Sequence, residues 1–348
     1  MNRTKGLIDK LKRDRALSES EYRYIIENRT GEIAEYAASI ALEEKERYYG
    51  KSVFIRGLIE ISNICRNDCL YCGIRKSNRD VCRYRLSPRK IQECCRQGYS
   101  LGFRTFVLQG GEDGHYSDGL LVKLIGDIKR EFPDCALTLS LGERSYESYL
   151  SLYNAGADRY LLRHETADRA HYESLHPKDL SFDERMRCLW DLKRIGYQVG
   201  CGFMVGSPGQ SGYHIAKDLK FIEEFSPQMC GIGPFIPCEG TPFSDKEAGS
   251  VELTLYLLSL IRIMKPKILL PATTALGTLK DGGRELGILA GANVVMPNLS
   301  PEDARKNYTL YNNKLSTGAE NAHALSLLKE KIASVGAEIV CERGDALE

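Results

Sequence analysis

From Gly50 onward, short β-rich runs alternate with stretches of helical periodicity, and the alternation recurs eight times. The strand candidates are 53–61, 104–109, 135–141, 158–163, 197–205, 229–236, 267–272 and 293–297. Helical patterns separate them near 88–101, 117–131, 145–155, 181–195, 212–225, 250–265, 282–290 and 319–335. A helix between two strands carries the chain back to the same end of a sheet, so the strands run parallel. Eight such units predict an α/β fold, a closed (β/α)8 barrel of the TIM type. An open doubly wound sheet uses the same units, but no dinucleotide fingerprint is present. Residues before Gly31 read as a polar helical stretch, and EIAEYAASIALEEKERYYG has amphipathic spacing. The expected organisation is an N-terminal helical extension, 1–50, and a single barrel domain, 51–348, that ends in a helical segment.

Charge balance removes several function classes. Lys plus Arg is 48 and Asp plus Glu is 47, so bulk attraction to nucleic acid or to an anionic membrane is not expected. The most apolar stretch, VELTLYLLSLIRIM, is too short to span a bilayer and carries Glu252 and Arg262. No secretory signal is evident at the start. Twelve cysteines then read as thiols of a reducing cytoplasm rather than a disulfide framework.

Three of those cysteines stand apart. IEISNICRNDCLYCGIRKSN directly follows the first strand and contains Cys65, Cys69 and Cys72 in a C-x3-C-x2-C spacing. Three thiolates from one loop suit three irons of a [4Fe–4S] cluster and leave the fourth iron open. A zinc site completed by a histidine is the alternative, although structural zinc sites come as paired C-x2-C or C/H units. Three unligated core cysteines fit poorly beside Arg66, Asn67, Asp68, Arg75 and Lys76. The spacing and its position resemble the radical S-adenosylmethionine (SAM) superfamily, in which the open iron chelates SAM and an electron releases a 5′-deoxyadenosyl radical. Cys94, Cys95, Cys135, Cys188, Cys201 and Cys230 lie in helical or strand patterns and read as core. Cys82, Cys238 and Cys341 remain unplaced.

Strand ends line the active face of a barrel, and here they are rich in polar groups. Gln109-Gly110-Gly111-Glu112-Asp113 is either a plain turn or a backbone cradle for the methionyl amino group of SAM. Ser140 ends the third strand. Arg163-His164-Glu165-Thr166 ends the fourth; Glu165 suits ribose hydroxyls, and Arg163 suits either Glu165 or an anionic substrate group. Arg185 reads as a helix-surface charge or a partner for the SAM carboxylate. VGSPGQS lacks the G-K-[ST] ending of a nucleotide loop, so triphosphate binding is not expected.

CRNDCLYCGIR, LQGGED, TLSLGE, AGADRYLLRHETAD, MVGSPGQ, GIGPFIPCEGTP, PATTALGT, GGRE and GANVVMPN follow one another in an order that resembles the HydE-type maturase of [FeFe]-hydrogenase. The likeness covers roughly residues 50–312. It implies a role in building the hydrogenase H-cluster, with a [4Fe–4S] cluster and SAM as cofactors and companion maturases as partners. The substrate it implies is an organometallic iron–carbonyl–cyanide–cysteine species, or another amino-acid-derived small molecule, attacked at sulfur by the adenosyl radical.

Carried over by position, Cys65, Cys69 and Cys72 match the cluster ligands. Tyr71, Gln109, Gly111, Ser140, Glu165 and Arg185 fall in the cofactor-binding set. Arg163, Thr273 and Thr274 match an anion-binding end of the cavity, with Met296, Tyr308 and Tyr311 near its wall. There are departures too. YNNKLSTGAENAHALSLL lacks the cysteines of an auxiliary cluster, Gly110 stands where serine is common, and Ser207 where a larger apolar residue is common. A methylornithine synthase-like radical SAM mutase remains the nearest alternative, and a non-catalytic iron–sulfur scaffold is the alternative of another class.

Overall fold

In a computed structural model, which describes residues 3–315 and 321–347, the chain opens with three helices, Arg3–Asp14, Glu19–Glu27 and Gly31–Tyr49. Ser18 caps the second in a capping box with Glu21, and Thr30 caps the third. Ser and Thr do this because the side-chain oxygen satisfies an N–H that the helix leaves unpaired. The same device starts the helices at Pro88–Ser100, Asp118–Glu131, Tyr146–Asn154, Phe182–Ile195 and Val251–Met264. The third N-terminal helix packs against Val251–Met264, and the second against Gly212–Phe225. This packing explains the apolar VELTLYLLSLIRIM stretch. It is a buried helix, and no helix among the described residues is long and apolar enough to cross a membrane. Its buried Arg262 donates to the carbonyls of Gly291, Pro266 and Ile268 and to Asn293 Oδ1 at 2.7–2.9 Å.

The strands form a parallel α/β sheet. Gly57–Ser62 pairs with Thr105–Gly110, which pairs with Ala136–Ser140. Arg159–Leu161, Gln198–Cys201 and Met229–Cys230 continue the order. Single parallel bridges extend it through Met229↔Leu269 and Pro271↔Val294. Val294–Val295 pairs with Ser52–Ile55, and Asn298 bridges Leu58, so the pairing returns to the first strand. The expected seventh strand, 267–272, is present only as those bridges. Pro271 has no N–H to donate, and the Leu270 N–H is taken by Asn293 Oδ1 at 2.9 Å. Glu338–Val340 is an unexpected edge strand beside Ser52–Ile55. Helices Arg169–Leu175, Thr274–Leu279 and Glu302–Asn307 are also additional, each too short for its periodicity to register. The last expected helix is Leu325–Ala333. The start of the 319–335 pattern and part of YNNKLSTGAENAHALSLL lie outside the described residues.

Side chains alternate along a strand, and this layers the interior. At the N-terminal ends of the strands, Arg159 and Thr105 are tied to the C-terminal segment. Arg159 Nη2 reaches Asp345 Oδ1 at 2.6 Å and the Arg343 carbonyl at 2.9 Å, and Thr105 Oγ1 donates to that carbonyl at 2.7 Å. Two residues further along, Val107, Leu161, Met229, Leu269 and Met296 surround a narrow void. Two residues beyond that, the same faces present Gln109, Ser140, Arg163 and Thr273. Arg56 and Thr138 also line this narrow void, and the Gln109–Ser140 layer lies beyond it toward the strand C-termini.

Candidate active site

The Cys65–Cys72 loop is held by its own polar residues. Asp68 accepts from Arg75 Nε at 2.7 Å, from the Ser77 N–H at 2.9 Å and from Ser77 Oγ at 2.7 Å. Arg83 donates to the carbonyls of Asn63, Ile74, Arg75 and Asn78. The loop is also docked on its neighbours, through Leu70 N–H to the Leu175 carbonyl at 3.0 Å and Gly73 N–H to the Leu310 carbonyl at 2.9 Å. Burial raises the pKa of all three thiols. Cys72 is pushed up to about 12 by burial and then by Cys65, and Cys69 is driven up by burial and then by Cys72. Three mutually repelling, desolvated thiols become thiolates only around a cationic centre, which fits a bound cluster. They do not fit zinc. Among the described residues no three His, Cys, Asp or Glu side chains converge as a single ion requires, whereas a cluster spreads its thiolates over separate irons.

Gly111 is what lets this loop approach the second strand. A Cβ there would stand 2.4 Å from the Ile64 carbonyl oxygen and 2.7 Å from Cys65 Cβ, and backbone cannot yield as a flexible side chain does. Gly111→Ala is therefore expected to displace Cys65 and lower the iron and sulfide retained after anaerobic reconstitution severalfold, as checked by metal analysis. Full loading would contradict this account of Gly111. Gly110 is less constrained, its nearest contacts being 3.3 Å away.

The candidate SAM-side residues gather on the same face. Gln109 Nε2 reaches Tyr308 Oη at 3.4 Å, and Ser140 is in register beside Gln109. Glu165 has φ +64° and anchors its N–H on the Gly202 carbonyl at 3.0 Å. Arg185 is not a surface charge. It is buried, donates to Glu143 Oε1 at 2.5 Å and to the Arg163 carbonyl at 2.7 Å, and so already has partners. Tyr71 Oη meets His176 Nε2 at 3.2 Å. His176 Nδ1 faces the Tyr172 carbonyl at 2.8 Å, so that nitrogen carries the proton and Nε2 accepts from Tyr71.

At the other end of the candidate site, Arg163 Nη2 lies 3.2 Å from Glu165 Oε2, so both readings of Arg163 touch one residue. The contact is not aligned as a hydrogen bond. Arg163 Nε and Nη2, Glu165 Oε2 and Thr273 Oγ1 are all buried without a hydrogen-bonding partner among the described residues. Thr273 is the N-cap residue of helix Thr274–Leu279, but its side chain makes no capping hydrogen bond. Thr274 opens that helix, and its carbonyl accepts from Thr278 Oγ1 at 3.0 Å. Met296 lines the void below, Tyr308 is buried and Tyr311 is half-buried.

Sequence reasoning placed Glu143 at the end of the third strand without a partner and passed over His176, Glu60 and Lys314. Each meets its partner across tens to hundreds of residues, and no spacing rule links them. Ser207 proves to be buried, bonding His171 Nε2 at 2.9 Å. Of the loose cysteines, Cys82 and Cys341 are exposed and Cys238 is buried, while the six assigned to the core are all buried.

The buried histidines set an acid limit. Burial lowers His164 and His176 to about 3 and His171 to about 4, while burial holds the Asp218 carboxyl well above its usual range. Between pH 6.5 and 4 the unfolded chain protonates three histidines that the folded chain keeps neutral. The raised Asp218 carboxyl works in the opposite direction. The excess of protons bound by the unfolded chain's histidines makes stability fall with acidification across this range. Thermal unfolding of the cluster-free chain at pH 7 and pH 5 should show it; equal midpoints would refute it.

The radical SAM superfamily matches residues 59–222. The chain is 43% identical over 297 residues to the [FeFe] hydrogenase maturase subunit HydE of Thermotoga maritima, covering 85% of this chain and 84% of that protein. It is 29% identical over 312 residues to 3-methylornithine synthase of Methanosarcina barkeri, covering 89% and 87%. Among solved structures, methylornithine synthase (PylB) superposes with a TM-score of 0.81 at 26% identity, covering 96% and 97%.

Proposed function

The chain belongs to the HydE family of [FeFe]-hydrogenase maturases, radical SAM enzymes, and on that premise we propose that it builds the H-cluster from a cysteine-bound iron–carbonyl–cyanide precursor. The precursor comes from a companion maturase, in the cytoplasm. Members of the superfamily bind a [4Fe–4S] cluster and SAM, and here Cys65, Cys69 and Cys72 would hold the cluster. When bound, this pair would supply a 5′-deoxyadenosyl radical for chemistry at the substrate's cysteine sulfur.

The chain's own residues divide the work. Gly111 gives backbone access beside the cluster loop, Glu165 accepts ribose hydroxyls, and Arg185, neutralised by Glu143, keeps one positive edge toward the SAM carboxylate. Arg163 and Thr273 hold the anionic end of the substrate, and Thr274, Met296, Tyr308 and Tyr311 wall the cavity and exclude water. Water exclusion protects a reactive radical from side reactions. The observation that carries this reading is the set of buried donor atoms on Arg163 and Thr273 that have no hydrogen-bonding partner among the described residues, beside the Arg163–Glu165 ion pair. Unpaired buried donors are costly unless a ligand accepts from them.

The reconstituted chain, added to a maturation mixture lacking only this component, should activate an [FeFe]-hydrogenase; an inactive hydrogenase would reject the proposal. The second reading, a methylornithine synthase-like mutase, draws on the 0.81 TM-score, but the sequence is closer to the maturase.

Glu165→Ala is expected to weaken SAM binding at least tenfold. The two ribose hydrogen bonds are charge-assisted and worth about 1.5–3 kcal/mol each. Anaerobic titration decides it, and an unchanged affinity would remove Glu165 from the SAM site.

A further inference from the structure

We propose that Glu60 accepts a hydrogen bond from the amine of the substrate's amino-acid portion, with Lys314 as its fixed counter-charge; this rests on the cysteine-bound substrate proposed above. Glu60 lies on the first strand in register with Gln109, which is in register with Ser140, so its side chain belongs to the polar interior layer. It is completely buried. One carboxylate oxygen is ion-paired with Lys314 Nζ. The other, Oε2, has no hydrogen-bonding partner among the described residues. Lys314 is itself fixed, since it donates to the Tyr308 carbonyl at 3.0 Å and lies 4.7 Å over the Tyr308 ring.

A buried carboxylate must be satisfied both in charge and in lone pairs. Lys314 answers the charge and leaves one acceptor open, near where Tyr308 meets Gln109. Among the described residues the strand ends therefore leave open donors on Arg163 and Thr273, on strands four and seven, and an open acceptor on Glu60, on strand one. A ligand with acceptor groups alone would leave the Glu60 Oε2 lone pairs unmatched. An amino acid offers an acceptor carboxylate and an N–H donor on one carbon, and it matches both kinds of opening. SAM also carries an amine. The Gly110-Gly111 backbone beside the cluster loop is the expected receptor for that one, so Glu60 is left for the substrate.

The test is anaerobic calorimetry on the cluster-reconstituted chain loaded with S-adenosylhomocysteine, with L-cysteine and its desamino analogue 3-mercaptopropionate as probes. The wild type should favour L-cysteine roughly tenfold or more, the worth of one charge-assisted hydrogen bond. Glu60→Gln should bind the two probes within about twofold of each other. Glu60→Gln/Lys314→Met, which leaves no unpaired charge should the single variant fail to fold, should do the same, with cluster content and S-adenosylhomocysteine affinity unchanged. A preference that persists in the folded variants overturns the proposal, and so does a loss of S-adenosylhomocysteine affinity, which would assign Glu60 to the cofactor amine. If the wild type shows no preference and Arg163→Leu leaves cysteine binding unaltered, the cysteine-substrate reading itself falls and takes this proposal with it.

Discussion

Arg163→Leu and Thr273→Val are each expected to cut hydrogenase maturation by at least an order of magnitude while SAM affinity stays near normal. Arg163 presents two buried nitrogens without hydrogen-bond partners, and Thr273 a buried hydroxyl in the same state. Space has been kept for that hydroxyl, since a Cβ on Gly233 would come within 2.9 Å of Thr273 Oγ1. A charge-assisted hydrogen bond lost from either is worth about 1.5–3 kcal/mol, or roughly 10- to 100-fold. SAM binding survives because Glu165 does not depend on Arg163 for its position. Its backbone is fixed by the Gly202 carbonyl and by a left-handed turn at φ +64°. SAM titration and hydrogenase activation, measured separately on each variant, check this. Full maturation activity in both variants would refute it, and so would a parallel collapse of SAM binding.

The larger effect is expected from Cys65→Ala/Cys69→Ala/Cys72→Ala, which should bind essentially no cluster after anaerobic reconstitution and cleave no SAM. The fold should persist. The loop is tied down by Asp68, Arg75, Ser77 and Arg83 through bonds that involve none of the three sulfurs. Circular dichroism would report the retained fold, and iron and sulfide analysis the missing cluster. A full complement of iron and sulfide would contradict the ligand assignment.

Much of this was legible because two periodicities survive in the sequence. The helix–strand alternation gave the parallel α/β order, and the strand-end positions carried Gln109, Ser140, Arg163 and Thr273 to a common layer. Strands were read as longer than they are where the backbone cannot continue a ladder. The 197–205 run divides at Gly202, at φ +150°, and 267–272 thins to bridges around Pro271. The buried pairs were not legible. Glu60–Lys314 spans 254 residues and Arg185–Glu143 spans 42, and nothing local in either segment marks its partner. Glu60 in particular stands in IEIS with nothing beside it to mark a buried partner. It is buried in register with Gln109, at the strand ends where polar groups of a barrel collect.

The most direct test offers the reconstituted, reduced chain two substrates in parallel, the cysteine-bound iron–carbonyl–cyanide precursor and L-lysine, and follows SAM consumption, hydrogenase activation and methylornithine. The account predicts SAM consumption coupled to the precursor, with an activated hydrogenase and no methylornithine from lysine. Methylornithine formed from lysine, with the precursor left intact and the hydrogenase inactive, would contradict it.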